Sequence, residues 1–126
     1  MPEVGDVAPD FTLATDGGGE VTLSKLRGKP IVLYFYPKDD TSGCTQEACA
    51  FRDALPEFRQ LDAEMIGMSP DNVKKHDKFK EKYDLPFMLA SDEEKRTLEA
   101  YGVWVEKSMY GRKYMGVERS TFLVDA

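Results

Sequence analysis

Two cysteines, Cys44 and Cys49, are the residues of this sequence whose type and spacing best suit chemistry. Cys44 follows a polar loop and falls in the first turn of a predicted helix. Unpaired N–H groups and a partial positive charge at that position favour the thiolate, which is the nucleophilic form of cysteine. On position alone, a reactive thiol and a small buried side chain are equally compatible with Cys44. For Cys49 the spacing alone favours the buried side chain.

The spacing of five residues also limits how the two sulfurs can meet. On an ideal helix, five residues turn by about 140° and rise by about 7.5 Å, which sets the two Cα atoms about 8.7 Å apart. A disulfide needs Cα atoms within about 7 Å of each other. The two cysteines therefore either never pair, or pair only when this part of the helix unwinds.

Several segments have the character of strands. Residues 11–13 and 21–23 alternate around the turn at residues 16–19, which predicts a hairpin. Residues 31–36 are apolar on both faces, as in the central strand of an α/β sheet. Further strands are predicted at residues 65–68, 86–89 and 120–124.

Three helices are predicted between these strands. The helix that carries Cys44 begins at residue 43 or 44, and Pro56 predicts that it is short, or kinked before residue 58. Asp71 or Asn72 is expected to cap a second helix, and Asp92 a third.

This order of elements predicts one α/β domain over residues 1–126, a thioredoxin-like three-layer sandwich with the N-terminal β-hairpin as an extension. The sequence stops directly after the last predicted strand, so that no further helix covers one face of the sheet. We therefore expect the sequence to be truncated at its C-terminus.

Composition excludes several classes of protein. The chain has 126 residues, and 17 Lys and Arg against 23 Asp and Glu give a net charge of −6. This balance argues against a nucleic-acid partner and against an anionic membrane surface. The longest apolar run, residues 31–36, is far shorter than the roughly 20 residues of a membrane helix. With two cysteines and one histidine, no zinc site is expected, and the N-terminus lacks an export signal, which predicts a cytoplasmic protein.

Four further titratable residues are candidates for a role near the cysteines. His76, the single histidine, stands among charged neighbours and is predicted to lie on a solvent-exposed helix face. The adjacent carboxylates of Asp39 and Asp40 are interpreted as ordinary polar loop residues. Glu47 either pairs with Arg119 or only compensates the helix dipole.

Residues 35–49 read Phe-Tyr-Pro-Lys-Asp-Asp-Thr-Ser-Gly-Cys-Thr-Gln-Glu-Ala-Cys and contain the pattern Pro-x-x-x-Thr-x-x-Cys. This run resembles the active-site loop of peroxiredoxins, and the second cysteine resembles the bacterioferritin comigratory protein, or Q-type, subfamily. Residues 5–11, 66–71 and 118–122 resemble the same family in the same order, so the similarity covers nearly the whole chain. Ser42 replaces the proline usual in close relatives, at a variable position of the pattern.

The resemblance implies a thiol peroxidase. Cys44 would match the peroxidatic cysteine, which becomes a sulfenic acid, and Cys49 the resolving cysteine, which forms an intramolecular disulfide with Cys44. Thioredoxin, or a glutaredoxin-type reductant, would then restore the dithiol. Thr41 matches the threonine that hydrogen-bonds the sulfur and the peroxide, Pro37 the proline that shields the pocket from water, and Arg119 the arginine beside the thiolate.

The same resemblance sets expectations for ligands and assembly. Gly43, Thr41 and Arg119 are expected to contact the peroxide, which is hydrogen peroxide or an organic hydroperoxide. No cofactor or metal is expected. Because the disulfide is intramolecular, we expect a monomer that binds neither nucleic acid nor membranes.

Other functions remain open from the residues alone. A thioredoxin-like disulfide reductase usually has Cys-x-x-Cys at its helix start, whereas this chain has Cys-x4-Cys. A non-catalytic binding or chaperone module would have an unreactive Cys44 and no need of Arg119. A redox-sensing module that passes its oxidation to a partner would have the same residues as the peroxidase.

Overall fold

A six-stranded sheet forms the centre of the fold. The computed structural model describes residues 5–26, 28–60, 62–109 and 111–124. The strands are β1 (Thr12–Thr15), β2 (Glu20–Thr22), β3 (Ile31–Phe35), β4 (Glu64–Ser69), β5 (Met88–Ser91), β6 (Trp104–Met109), β7 (Arg112–Val117) and β8 (Ser120–Val124). The main sheet has the order β2-β1-β5-β4-β3-β8, in which β3, β4 and β5 are parallel. The predicted N-terminal hairpin is confirmed as β1 and β2, and β8 pairs antiparallel with β3.

Helices cover both faces of this sheet. They are α1 (Ser42–Gln60), α2 (Val73–Tyr83) and α3 (Arg96–Ala100). One face of β3 packs with α1 and α2 in an apolar cluster that includes Tyr34, Ala48 and Phe79. The opposite face packs with α3 in a second cluster that includes Leu33 and Leu98. The predicted three-layer arrangement is therefore confirmed.

The first helix is longer than the sequence predicts. It runs to Gln60 with Pro56 inside it, so the first of the two predicted alternatives, a short helix, is wrong. A proline in a helix interior costs about 3 kcal/mol because its ring clashes and one hydrogen bond is lost. Leu55 is buried beside the proline, and Phe51 and Phe58 pack on the same cluster, so apolar burial on both sides of Pro56 offsets that cost.

The starts of α2 and α3 agree better with the capping residues predicted from the sequence. Asn72, one of the two predicted residues, caps α2 by accepting a hydrogen bond from the Lys75 amide at 2.9 Å. Asp92 accepts one from the Leu98 amide at 2.8 Å, although α3 itself begins only at Arg96. The predicted strand at residues 86–89 is shifted toward the C-terminus and forms β5.

A second, two-stranded sheet was missed by the sequence patterns. It consists of β6 and β7, which pair antiparallel on either side of Gly111. Polar and charged residues occupy much of both strands, and β7 is mostly exposed, so no apolar run identifies them. Gly111 has a φ of +77°, a left-handed backbone conformation that favours glycine in a tight turn.

Pairing between β3 and β8 determines where the end of the chain meets its middle. In this register Phe35 lies opposite Ser120. The residue before Ser120 is therefore brought to the carboxyl end of β3, where the loop to α1 begins. Two segments far apart in sequence meet at this edge of the sheet.

Candidate active site

Cys44 lies in the first turn of α1, directly after the loop that leaves β3. Its side chain is only 1% exposed. The Thr45 amide donates to the Thr41 carbonyl at 2.8 Å, which closes the first turn around the cysteine. The sulfur thus stands at a helix N-terminus, as predicted, where unpaired N–H groups stabilise negative charge.

Arg119 is the cation beside that sulfur. Its Nη2 donates to Cys44 Sγ at 3.0 Å, from the segment between β7 and β8. The β3–β8 register explains the contact, because it sets Arg119 next to the loop that follows Phe35. A guanidinium at this distance can donate charge-assisted hydrogen bonds to a sulfur or oxygen anion.

Glu47 holds the guanidinium from its other side. Its Oε1 accepts from Arg119 Nη1 at 3.3 Å. Of the two hypotheses for Glu47, the one in which it pairs with Arg119 is therefore confirmed. Glu47 is three residues after Cys44, so both side chains lie on one face of α1. Burial raises the pKa of the Glu47 carboxyl, and the nearby Arg119 opposes that rise only in part.

Gly43 leaves the space that the guanidinium occupies. A Cβ at this position would lie 2.9 Å from Arg119 Nη2 and 3.5 Å from its Cζ. No side chain fits there while Arg119 remains on the sulfur. The glycine is thus required by close approach, since its φ is not in the left-handed region.

Thr41 and Pro37 belong to the loop over the site. The Thr41 hydroxyl donates its hydrogen to the Lys38 carbonyl at 3.0 Å. Both lone pairs of that oxygen are therefore available to accept hydrogen bonds from another group. Pro37 is half-buried one residue after Tyr36, at the start of the loop.

Cys49 lies further along the same helix. It is half-buried, and both cysteines are free thiols. Because α1 is intact between them, the geometry of an ideal helix keeps their Cα atoms about 8.7 Å apart, beyond the limit of about 7 Å for a disulfide. A bond between the two sulfurs therefore requires this segment to unwind.

The prediction for His76 is wrong. The side chain is 0% exposed, and its Nδ1 lies 2.6 Å from Asp39 Oδ2. Asp39, interpreted as an ordinary loop residue, is buried as well. A signal for this was present in the sequence, because His76 shares the helical spacing of Phe79 and Tyr83 on the inner face of α2. Its charged neighbours on the outer face concealed that spacing.

The described residues provide neither a metal site nor a membrane-spanning helix. Among the residues that the structure describes, no group of three histidine, cysteine or carboxylate side chains is arranged to hold a metal ion. Within the same ranges, no helix has the length and hydropathy needed to span a membrane.

Comparisons with known proteins agree with this geometry. The model of the AhpC/TSA family matches residues 4–126. Peroxiredoxin Bcp of Bacillus subtilis is 57% identical over 123 residues, which cover 98% of this chain and 78% of that protein. A mutant of Xanthomonas campestris peroxiredoxin Q superposes with a TM-score of 0.88 at 44% identity, covering 91% of this chain and 73% of that one.

A further solved structure is that of the bacterioferritin comigratory protein of Xanthomonas campestris. It superposes with a TM-score of 0.87 at 43% identity, again over 91% of this chain and 73% of that one. These similarities confirm the thioredoxin-like α/β fold expected from the sequence.

Proposed function

The chain belongs to the AhpC/TSA family, in its Bcp and peroxiredoxin Q subfamily, and is a thiol peroxidase; on this premise we propose that Cys44 is the residue that attacks the peroxide. Its substrate is a peroxide and its reductant is a dithiol of the thioredoxin type. The observation that carries the assignment is the 3.0 Å contact between Arg119 Nη2 and Cys44 Sγ at the N-terminus of α1.

In the first step, the Cys44 thiolate attacks one oxygen of the peroxide and the O–O bond breaks. An S–O bond forms, so the sulfur becomes a sulfenic acid and is oxidised, while the peroxide is reduced. The other oxygen leaves with the bonding electron pair and takes up a proton to become water or an alcohol. Arg119 stabilises both the thiolate and the departing oxygen anion. The free lone pairs of Thr41 accept from the peroxide O–H and orient it.

In the second step, Cys49 attacks the sulfenic sulfur. The new S–S bond joins Cys44 and Cys49, and the sulfenic oxygen leaves as water after protonation. Since an intact α1 holds the two residues too far apart, the helix unwinds between them before the bond forms. Formation of the disulfide also protects Cys44 from further oxidation.

In the third step, a dithiol exchanges with the disulfide and returns both cysteines to thiols. We propose thioredoxin as that dithiol, with a glutaredoxin-type protein as the alternative reductant. Both reacting cysteines belong to one chain, which supports a monomeric enzyme. Because such dithiols are kept reduced in the cytoplasm, we propose that compartment for the cycle.

Substrates proposed for the site are hydrogen peroxide and organic hydroperoxides. The related bacterioferritin comigratory protein of Xanthomonas campestris is described by its alkyl peroxide reduction activity. Apolar residues around Cys44, including Tyr36 and Ala48, give this chain a partly apolar surrounding for an alkyl group.

The experiment is an intact-mass measurement without reductant after one equivalent of hydrogen peroxide. We expect the loss of two hydrogens within seconds and no dimer. Cys44→Ser is expected to abolish the mass change, and Cys49→Ser to give an added oxygen in place of a disulfide. An unchanged mass in the unmodified protein would contradict the assignment of Cys44, and a disulfide-linked dimer would contradict the role given to Cys49.

A further inference from the structure

A buried hydrogen-bonded chain lies beneath the loop that joins β3 to α1, and the peroxidase chemistry above does not use it. Asp39 is 8% exposed and His76 is 0% exposed. Asp39 Oδ1 accepts from the Tyr36 hydroxyl, and its Oδ2 lies 2.6 Å from His76 Nδ1. The other ring nitrogen, Nε2, is 3.0 Å from the Ala90 carbonyl oxygen. Burial of such a pair is costly unless every polar atom has a partner.

Every hydrogen bond in this buried network has one donor and one acceptor. The Ala90 carbonyl can only accept, so His76 Nε2 carries a hydrogen. Tyr36 uses its hydroxyl hydrogen on Oδ1 of Asp39. One hydrogen then lies between Nδ1 and Oδ2, so that one of these two atoms donates and the other accepts. Each polar atom of the pair is thereby satisfied, and the Asp39 carboxyl is held from two sides.

The backbone of Asp39 is held in addition. Its amide donates to Asp71 Oδ2 at 2.6 Å, and the same oxygen accepts from the Ser69 hydroxyl at 3.0 Å. Asp71 is itself buried, two residues after the end of β4. Asp39 is thus attached to α2 by its side chain and to the β4 end by its backbone, and these two attachments fix its position in the loop.

The next residue shows why such attachment is needed. Asp40 has a φ of +58°, a left-handed conformation that costs free energy for a residue other than glycine. Its carboxylate is bonded to Lys82 Nζ and to the Tyr83 hydroxyl, each at 2.9 Å. A strained turn persists only where its surroundings hold it. Here the strained turn leads directly into Thr41, whose carbonyl closes the first turn of α1.

We propose that Asp39 and His76 are positioning residues for the peroxide reaction: they hold the strained loop so that Thr41 and the first turn of α1 present their groups to the peroxide. This inference rests on the proposed function of Cys44. Neither residue touches the sulfur or the peroxide; both act through the loop. A displacement of about 1 Å at a reacting group can cost about a hundredfold in rate, so a loosened loop is expected to be slow.

Two substitutions at one position separate positioning from charge. Asp39→Asn can keep both hydrogen bonds of this side chain. Its amide oxygen can accept from the Tyr36 hydroxyl, and its amide nitrogen can donate to an unprotonated Nδ1 of His76. Asp39→Ala removes both bonds. The reduced full-length protein is mixed rapidly with hydrogen peroxide, and Cys44 oxidation is followed by quenching and intact mass. We expect Asp39→Ala to react at least about tenfold more slowly than the unmodified protein and Asp39→Asn to stay within about threefold of it.

A matched control tests whether lost stability alone explains a slow variant. Asp16 is a carboxylate in the N-terminal hairpin turn, bonded to Lys80 Nζ and to the Leu89 amide. Asp16→Ala is expected to lower the unfolding midpoint while leaving the rate of Cys44 oxidation unchanged. If Asp39→Ala does not fold, Tyr36→Phe provides the same test, because it removes one bond to Asp39 and keeps the aromatic packing. Its expected loss of rate is about twofold to fivefold.

The outcomes distinguish this proposal from the proposed function. No oxidation of Cys44 in the unmodified protein would overturn the peroxidase assignment. A fast unmodified protein with an equally fast Asp39→Ala, or with an equally fast Tyr36→Phe where the alanine variant does not fold, would overturn only the positioning role. An Asp39→Asn variant as slow as Asp39→Ala would also overturn it. The reaction would then require the carboxyl group of Asp39 itself rather than the hydrogen-bonded geometry of the loop.

Discussion

Gly43→Ala is expected to slow peroxide reduction while making α1 more stable. The added methyl group would lie 2.9 Å from Arg119 Nη2, whereas ordinary contacts of this kind are 3.4–4 Å. The guanidinium must therefore withdraw by about 0.5 to 1 Å from its place beside the sulfur. Alanine in place of glycine inside a helix stabilises it by about 0.5–1 kcal/mol. The two effects have opposite signs, so general destabilisation cannot imitate the result.

The size of the rate effect follows from the distance between the two charges. Moving a cation from 3.0 Å to between 3.5 and 4 Å from the sulfur weakens its attraction by about 0.8 to 1.4 kcal/mol at an effective dielectric constant of about 20. The Arg119 side chain is 39% exposed, so we halve this for solvent screening, to about 0.4 to 0.7 kcal/mol. The expected loss of rate is about twofold to threefold.

Rapid mixing of the reduced protein with hydrogen peroxide measures the second-order rate constant, and urea unfolding measures stability. Ser42→Ala is the control, because Ser42 is exposed in the same helical turn and the change adds no atom near Arg119. Arg119→Ala sets the lower limit of the rate. A Gly43→Ala variant that reacts as fast as the unmodified protein would refute the view that this glycine maintains the guanidinium contact.

Three further predictions concern stability. Gly67→Ala would bring a Cβ within 2.8 Å of the Tyr34 ring and should lower the free energy of unfolding in urea by about 1–3 kcal/mol. Burial raises the pKa of Tyr101 to about 12, so the folded protein keeps a proton that the unfolded chain loses above about pH 10. The free energy of unfolding should therefore fall between about pH 10 and 12, by at most about 2.7 kcal/mol. Tyr101→Phe should remove this contribution. Burial raises the pKa of Glu47 above its ordinary value of 4.5. The unmodified protein should therefore lose stability relative to Glu47→Gln as the pH rises above about 4.5, and a difference that does not change with pH would contradict that direction.

Local patterns in the sequence were sufficient to place Cys44 at a helix start but not to place the cation beside it. A buried strand, a polar loop and a helix start placed Cys44 correctly, because each signal lies within a few residues of the next. Arg119 is 75 residues away, and only the register between β3 and β8 brings it to the sulfur. No local pattern specifies that register, so Arg119 was identified through resemblance to a family.

The buried pair beneath the loop shows a different limit. Composition around His76 indicates solvent exposure, whereas its helical spacing indicates the inner face of α2, and the spacing is correct. Charged neighbours are misleading because residues adjacent in sequence to a buried helical position lie on other, exposed faces of the helix. The partner, Asp39, lies in a loop where no periodicity applies, so only the folded chain shows that the two meet.

Burial of Cys44 links the unwinding of α1 to reduction as well as to disulfide formation. A sulfur that is 1% exposed can meet a peroxide of a few atoms, but a protein dithiol cannot reach it. In the proposed cycle, the unwinding that would bring Cys49 to Cys44 would therefore also expose their disulfide to its reductant. Hydrogen bonds at Asp39 hold the loop before α1, and the buried Leu55 holds the helix after the cysteines. Unwinding of the segment between them would withdraw Cys44 and Ala48 from the apolar cluster beneath α1, so it has a cost in buried apolar surface.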